Sequence, residues 1–329
     1  MTAKNKFLAF LRIGAFLYFI FLGKGAFALT ISPPVREMTG DPGTKISGII
    51  KLYNETNKDL SVTPSQSDFG AKETGDGEPE FFELSGEKSK DLASWIKVPA
   101  GPFAVRSLDW QNIIFEIDIP KDAEPGGHYA AVFFSPQQSE KDNNGSVSVD
   151  YRTGTLILLT VSGKMNESGN LKSFSLKDGK KFYDHIPVNF ELNVENKGNV
   201  HFKPAGNIIV KSMFGGNIAE LPVLKVDSGG NVLPRSSRRF EIVWGDSDEK
   251  KMPKTFWEKA RYEWANFYVG RYSALASVTL PGSGQVTSNV SFWVFPWQLL
   301  IVLAIGLVVL LFAFRTYNRW IIKKAREKK

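Results

Sequence analysis

Apolar residues recur at every second position along most of this 329-residue chain, and that period limits the fold more than any other feature. Ile46, Gly48, Ile50 and Leu52 alternate with Ser47, Ile49 and Lys51. Ile113, Phe115, Ile117 and Ile119 alternate with Ile114, Glu116 and Asp118, and Val188, Phe190, Leu192 and Val194 do the same against polar partners. Successive side chains of a strand point to opposite faces, so each run reads as a strand with one buried and one wet face. Residues 129–134 and 156–161 are apolar in both phases and read as central strands. Turn-forming clusters such as Asp41-Pro42-Gly43, Pro125-Gly126-Gly127, Gly215-Gly216 and Pro281-Gly282 separate the runs. Short strands punctuated in this way predict an all-β chain of antiparallel sandwiches.

The two ends break the alternation, each in its own way. Residues 1–28 begin with Lys4, Lys6 and Arg12, carry an apolar run from Ile13 to Leu22, and finish in Ala26-Phe27-Ala28. That order predicts a secretory signal peptide cleaved between Ala28 and Leu29. Residues 295–314 form a longer apolar run, which as a helix would rise ~30 Å, one bilayer core. Seven Lys/Arg against one acid follow it. Positive charge stays in the cytoplasm, so the tail is expected inside and the rest outside, as in a single-pass protein of the plasma membrane. Trp293 and Trp297 are expected at the outer interface, and Arg315 and Arg319 at the inner one.

The ends also explain the overall charge of +7: four basic residues precede residue 29 and a net six follow residue 314, leaving residues 29–314 at −3. The basic excess orients a membrane protein, so no nucleic-acid partner is expected. The chain has no cysteine, which excludes thiolate metal sites and cysteine nucleophiles. A secreted multidomain chain without cysteine fits a bacterial surface protein.

The length between the ends suits two sandwiches, and an internal repeat supports that number. Leu52-Tyr53-Asn54 and Val194-Glu195-Asn196 each close an alternating run. Gly127-His128-Tyr129-Ala130-Ala131 matches Gly270-Arg271-Tyr272-Ser273-Ala274, with 75 positions from Asn54 to Tyr129 and 76 from Asn196 to Tyr272. The Tyr residues are expected where an immunoglobulin-like sandwich has its tyrosine corner. The resulting plan is two tandem immunoglobulin-like antiparallel β-sandwiches plus one C-terminal transmembrane helix. The first domain spans 29–162, a polar linker 163–170 and the second domain 171–294.

Two segments depart from the plan. Residues 69–94 are acidic, with seven Asp/Glu against three Lys, and read as a surface insertion. Phe81 and Phe82 within it are the candidate ligand-binding residues. They would serve either as an apolar tip for a partner or as a hydrophobic pair folded back and buried, and packing energetics favour burial. Residues 252–268 place Phe256, Ala260, Trp264 and Phe267 at helical spacing. Such a helix can pack on the second domain, lie on the bilayer beside the anchor, or fill a partner groove.

No catalytic, metal or cofactor constellation is legible. His128, His185 and His201 are far apart and outside any metal-ligand spacing. Asp246, Asp248 and Glu249 lack a twelve-residue calcium loop. Leu280-Pro281-Gly282-Ser283-Gly284 is similar to a relaxed sortase motif, but the alternating Val290, Phe292 and Val294 follow it, so a hairpin turn is expected there.

The first domain resembles the N-terminal domain of bacterial WxL-interacting proteins. The resemblance is carried by Ile31-Ser32-Pro33-Pro34, Leu52-Tyr53-Asn54, Ser94-Trp95-Ile96, the strand 113–120, and Ala123-Glu124-Pro125-Gly126-Gly127-His128-Tyr129-Ala130-Ala131. It covers roughly residues 30–162 and is looser beyond. It implies a signal peptide, two immunoglobulin-like domains, a C-terminal span and a short basic tail. It also implies peptidoglycan binding by the first domain and binding of a partner or host protein by the second. The expectation is a non-enzymatic, anchored surface protein that binds cell-wall glycan or another surface protein. The alternatives are an envelope assembly factor acting by chaperone-like strand addition, and a structural stalk.

Overall fold

The computed structural model describes residues 29–82, 91–137, 152–224, 229–246 and 252–326. The expected signal peptide therefore lies outside the described residues, as do part of the acidic insertion, Asp248, Glu249 and the last three residues. The chain is mostly β-sheet and forms two compact units. The first comprises the chain up to Phe69, Phe82–Glu124 and His128–Val161; the second comprises Gly70–Phe81, Pro125–Gly127 and the chain from Ser162 on.

The earlier elements are β1 (Leu29–Ser32), β2 (Val35–Gly40), β3 (Lys45–Asn54), β4 (Leu60–Ala71), β5 (Pro79–Phe82), α1 (Leu92–Trp95), β6 (Ile96–Lys97), β7 (Phe103–Val105), β8 (Trp110–Asp118), β9 (Gly126–Pro136) and β10 (Thr153–Val161). They build a sheet of order β1-β3-β8-β6 and a second of order β2-β10-β9-β4-β5, with β7 also paired to β4. The doubly apolar runs become β9 and β10, which are central. The first strand is shared between the sheets. Leu29–Ser32 pairs antiparallel with β3, and Val35–Gly40 pairs parallel with β10. Pro33 and Pro34 lie between them and offer no N–H, so one ladder cannot run through. Ile50, Leu52, Phe115 and Ile117 from one sheet meet Phe134, Ile157 and Leu159 from the other in a single core. Gly48 lies opposite Phe115, and a Cβ there would come within 2.5 Å of the ring, so the pairing of these strands requires glycine.

The second unit contains β11 (Gly169–Leu176), β12 (Phe182–Tyr183), β13 (Val188–Asn196), β14 (Ala205–Ser212), β15 (Asn217–Pro222), β16 (Ser236–Trp244), α2 (Phe256–Ala265), β17 (Gly270–Leu280), β18 (Gly284–Val294) and α3 (Trp297–Arg326). Its sheets have the orders β11-β13-β16 and β12-β18-β17-β14-β15 and close on Phe190, Leu192, Trp244, Tyr272 and Phe292. The Leu280 to Gly284 stretch, read as a hairpin turn, joins β17 to β18. α2 starts in a capping box: Thr255 Oγ1 accepts from the Glu258 N–H at 3.3 Å, and Glu258 Oε2 accepts from the Thr255 N–H at 3.2 Å.

Among the described residues one helix is long and apolar enough to cross a membrane, over Trp297–Ile322. It continues past Phe314, so Arg315 and Arg319 are exposed helical residues. Trp293 is a partly exposed residue of β18, and Trp297 opens α3. Toward the other end Tyr317 and Trp320 stack at 6.3 Å, and Lys324 Nζ sits 4.6 Å from the Trp320 ring. Trp297 and Trp320 are 23 residues apart, a rise of ~34 Å, comparable to the thickness of a bilayer core.

Candidate functional site

The repeat asparagines are fully buried and make the same local bonds. Asn54 Nδ2 donates to the carbonyl of Lys58 at 2.7 Å and of Val105 at 3.1 Å, while its Oδ1 accepts from the Thr56 N–H at 2.9 Å. Asn196 Nδ2 donates to the carbonyls of Val200 and Val232, both at 2.8 Å, and its Oδ1 accepts from the Gly198 N–H at 2.8 Å. Each asparagine closes the turn after its strand and ties it to a remote segment. The tyrosines are not equivalent, which corrects that half of the repeat. Tyr272 faces the core, and its hydroxyl lies 3.5 Å from the Val269 carbonyl. Tyr129 lies on the opposite face of its sheet, beside Phe69, while His128 and Ala130 occupy the buried phase. A slip of one residue exchanges the faces of a strand, so sequence spacing matched letters that point opposite ways.

Asn54 also positions an exposed turn. Its N–H donates to the Asp109 carbonyl at 3.2 Å, and its own carbonyl accepts from the Leu108 N–H at 3.0 Å. Leu108 has φ +54°, the left-handed region that costs a branched apolar residue, and it is 56% exposed. Trp110 follows and lies opposite Tyr53, ring centroids 5.0 Å apart. On the same outer face Ile49 pairs with Ile114, both exposed, and Lys51 with Asn112 lies between the two apolar pairs. Beyond them the face turns charged, where Lys45 and Lys97 reach Asp118 at 3.3 and 2.9 Å. The wet face of the β1-β3-β8-β6 sheet thus carries an aromatic and aliphatic stripe bounded by polar groups. β1 forms the sheet edge beside it, with Thr30 opposite Tyr53. The sequence reading assigned Ile49 and Ile114 to the solvent phase without drawing this consequence. The signal was present: they are isoleucines in the phase where alternating strands place polar residues.

Phe81 and Phe82 occupy β5, where the Ser67 hydroxyl donates to the Phe82 carbonyl at 2.7 Å. β5 pairs with β4, and among the described residues Phe81 and Phe82 are 36% and 46% exposed.

Titratable groups gather elsewhere in the first unit. Asp68 Oδ1 accepts from the Ala93 N–H at 2.9 Å, while its buried Oδ2 has no hydrogen-bond partner among the described residues. Burial pushes the Asp68 carboxyl up to about 6, opposed by the Ala93 N–H and by His128 and reinforced by Asp91. The His128 ring lies 4.7 Å from Trp95, with Nε2 2.8 Å from the Glu124 carbonyl. His185 instead meets Tyr262 in the second unit, so the histidines do not converge. Among the described residues no three His, Asp or Glu side chains are grouped to hold a metal.

No family model matches the chain, and no curated protein matches it. Among solved structures the chain is similar to the class 5 fimbriae chaperone CfaA, at 12% identity over 80% of this chain and 98% of that one, with a TM-score of 0.38. It is similar at 13% identity to the CsuC–CsuE chaperone–tip adhesion subunit complex of Acinetobacter baumannii, covering 65% of this chain and 89% of that one, with a TM-score of 0.34. The E. coli chaperone DraB shows 11% identity over 81% of this chain and 97% of that one, at a TM-score of 0.34.

Proposed function

We propose that this protein is a non-enzymatic, membrane-anchored envelope factor that holds a segment of another extracytoplasmic protein. In this reading it is a bacterial plasma-membrane protein of tandem immunoglobulin-like plan, with α3 as its single span and its C-terminus in the cytoplasm. The observation that carries the reading is the apolar stripe of Tyr53, Trp110, Ile49 and Ile114 on an otherwise wet sheet face, with an edge strand beside it. Exposed aromatic residues next to an open edge suit an extended partner segment. Such a partner would pair a strand with β1 through its backbone and set a further part of its apolar surface on the stripe, which begins one strand further in. The proposal stands on that face and not on the distant chaperone likenesses. The resemblance to WxL-interacting proteins gives a second reading, glycan binding by the first domain, for which an exposed Trp110 among polar neighbours is the favouring feature.

Photo-crosslinking in living host cells separates the two. Benzoylphenylalanine placed at Trp110 or Ile114 is expected to form adducts with a discrete protein, and at exposed Gln285 in the second unit to form none. Absence of any adduct at both stripe positions, or the same adducts at Gln285, overturns the protein-partner reading. Loss of full-chain retention on purified cell wall in Trp110→Ala, without protein adducts, transfers the stripe to glycan.

A further inference from the structure

The second unit gathers most of its exposed large apolar residues at one end. The register of β17 with β18 sets Gly270 opposite Val294 at that end and Leu280 opposite Gly284 at the other. β14 runs so that Ser212 pairs with Tyr272, which puts the β14–β15 hairpin tip, Met213 and Phe214, at the Gly270 end. β12 runs beside the end of β18, which adds Phe182 next to Trp293. Phe214 is 90% exposed and Phe182 70% exposed.

α2 meets the same end with its polarity inverted. Its buried residues are Ala260 and Glu263, while Trp257 and Trp264 are 71% and 67% exposed. A helix that packs a carboxylate inward and two indoles outward is amphipathic in the wrong sense for water. Glu263 accounts for the inward side. Its Oε2 accepts from the Leu299 N–H at 2.6 Å, within the first turn of α3, where a carboxylate complements the helix N-terminus. Phe256 meets Trp297 edge-on at 6.0 Å, and Lys259 Nζ reaches Asp184 Oδ2 at 3.1 Å. α2 is thereby fastened to the start of the apolar helix.

We infer that this end of the second unit is seated in the headgroup layer of the bilayer that α3 crosses, with Phe182, Phe214, Trp257, Trp264 and Phe267 as its contacts. The inference rests on α3 being the membrane span. Phe295 and Pro296 alone separate β18 from α3, an extended reach of ~7 Å. The interfacial layer beyond the hydrocarbon is about as thick, ~6 Å on each side. A unit joined so closely brings its end into that layer. Tryptophan and phenylalanine are the side chains such a layer accepts, and α2 lies along it as an interfacial helix. The exposed Lys181, Arg261 and Arg271 belong to the same segments and would meet anionic headgroups.

The cysteine-free chain permits single spin labels without background. The full chain would be placed in nanodiscs of phosphatidylethanolamine and phosphatidylglycerol, with labels introduced as Phe214→Cys, Trp257→Cys, Phe267→Cys, Gln285→Cys and Val308→Cys. Collision with oxygen relative to a water-soluble nickel chelate reads depth. The expected ratio is highest at 308, several-fold above the 285 value at 214, 257 and 267, and lowest at 285. Labels at 214, 257 and 267 that match 285 while 308 is buried overturn the seated end and leave the anchor intact. A label at 308 that matches 285 overturns the anchor itself. Exclusion of both reagents at 257 and 267 in native membranes, but not in nanodiscs, assigns this end to a protein and also overturns the inference.

Discussion

Asp68 shows how one side chain couples fold and pH. Its folded carboxyl is raised to about 6, first by burial, so the folded state holds a proton that the unfolded chain releases near pH 4. An acid raised on folding favours the folded state at low pH, and that contribution is lost as pH rises through the folded value. Stability is therefore expected to fall between about pH 4 and pH 6 by about 2 kcal/mol, after allowance for partial access of water, and then to level off. Asp68→Asn keeps an acceptor for the Ala93 N–H and removes the titration. Urea denaturation of the full chain in micelles should show the variant more stable than the parent at pH 7.5 and equal to it at pH 4. A parent whose midpoint is flat across this window refutes the account. None of this was legible in the sequence, because Asp68 lies in a run with no recognisable motif and acquires its environment only when α1 closes over it.

At the scale of elements, the alternating runs became strands because burial on one face is a local consequence of period two. The asparagines that close β3 and β13 were legible for a similar reason: two of the bonds each makes lie within four residues of itself, while those to Val105 and Val232 do not. Three features were not legible. The division of the first strand between two sheets depends on remote partners in β3 and β10. The facing of Tyr129 depends on a one-residue register that letters do not report. The inverted polarity of α2 depends on Glu263 finding the first turn of α3, 36 positions away. The repeat makes its own prediction. Asn54→Ala and Asn196→Ala each remove the side-chain bonds to two carbonyls and one N–H at a fully buried position, and each is expected to lower stability by about 3 kcal/mol. Alanine keeps the backbone bonds to Leu108 and Asp109, but Asn54→Ala frees the Val105 carbonyl ahead of them and should in addition loosen the Leu108–Trp110 turn, read as faster amide exchange at Leu108 and Asp109. Asn196→Ala should leave those amides unchanged. Equal exchange in both variants would show that Asn54 does not hold the turn.

At the scale of the whole molecule, charge and apolar length set the C-terminal helix and its basic end apart from the β-sheet units. The basic residues of the last segment, Arg315, Arg319, Lys324 and Arg326, are on or at the end of α3, and Trp320 carries Lys324 over its ring. In the proposed membrane setting, a cation held against an interfacial tryptophan would fix the depth of that end, as Trp297 and the aromatic residues of α2 would fix the other. The two ends of α3 differ in charge, and on the proposed topology that difference sets orientation: moving the basic cluster across a membrane would oppose both its hydration and the positive-inside bias. On the proposed topology the stripe on β3 and β8 faces the space outside the cell, where a secreted partner would meet it. A membrane-impermeant maleimide applied to intact cells tests this directly. Gln285→Cys is expected to label fully, and Lys324→Cys to label only after the membrane is permeabilised. Labelling of Lys324→Cys in intact cells would reverse the topology and remove the stripe from its partner.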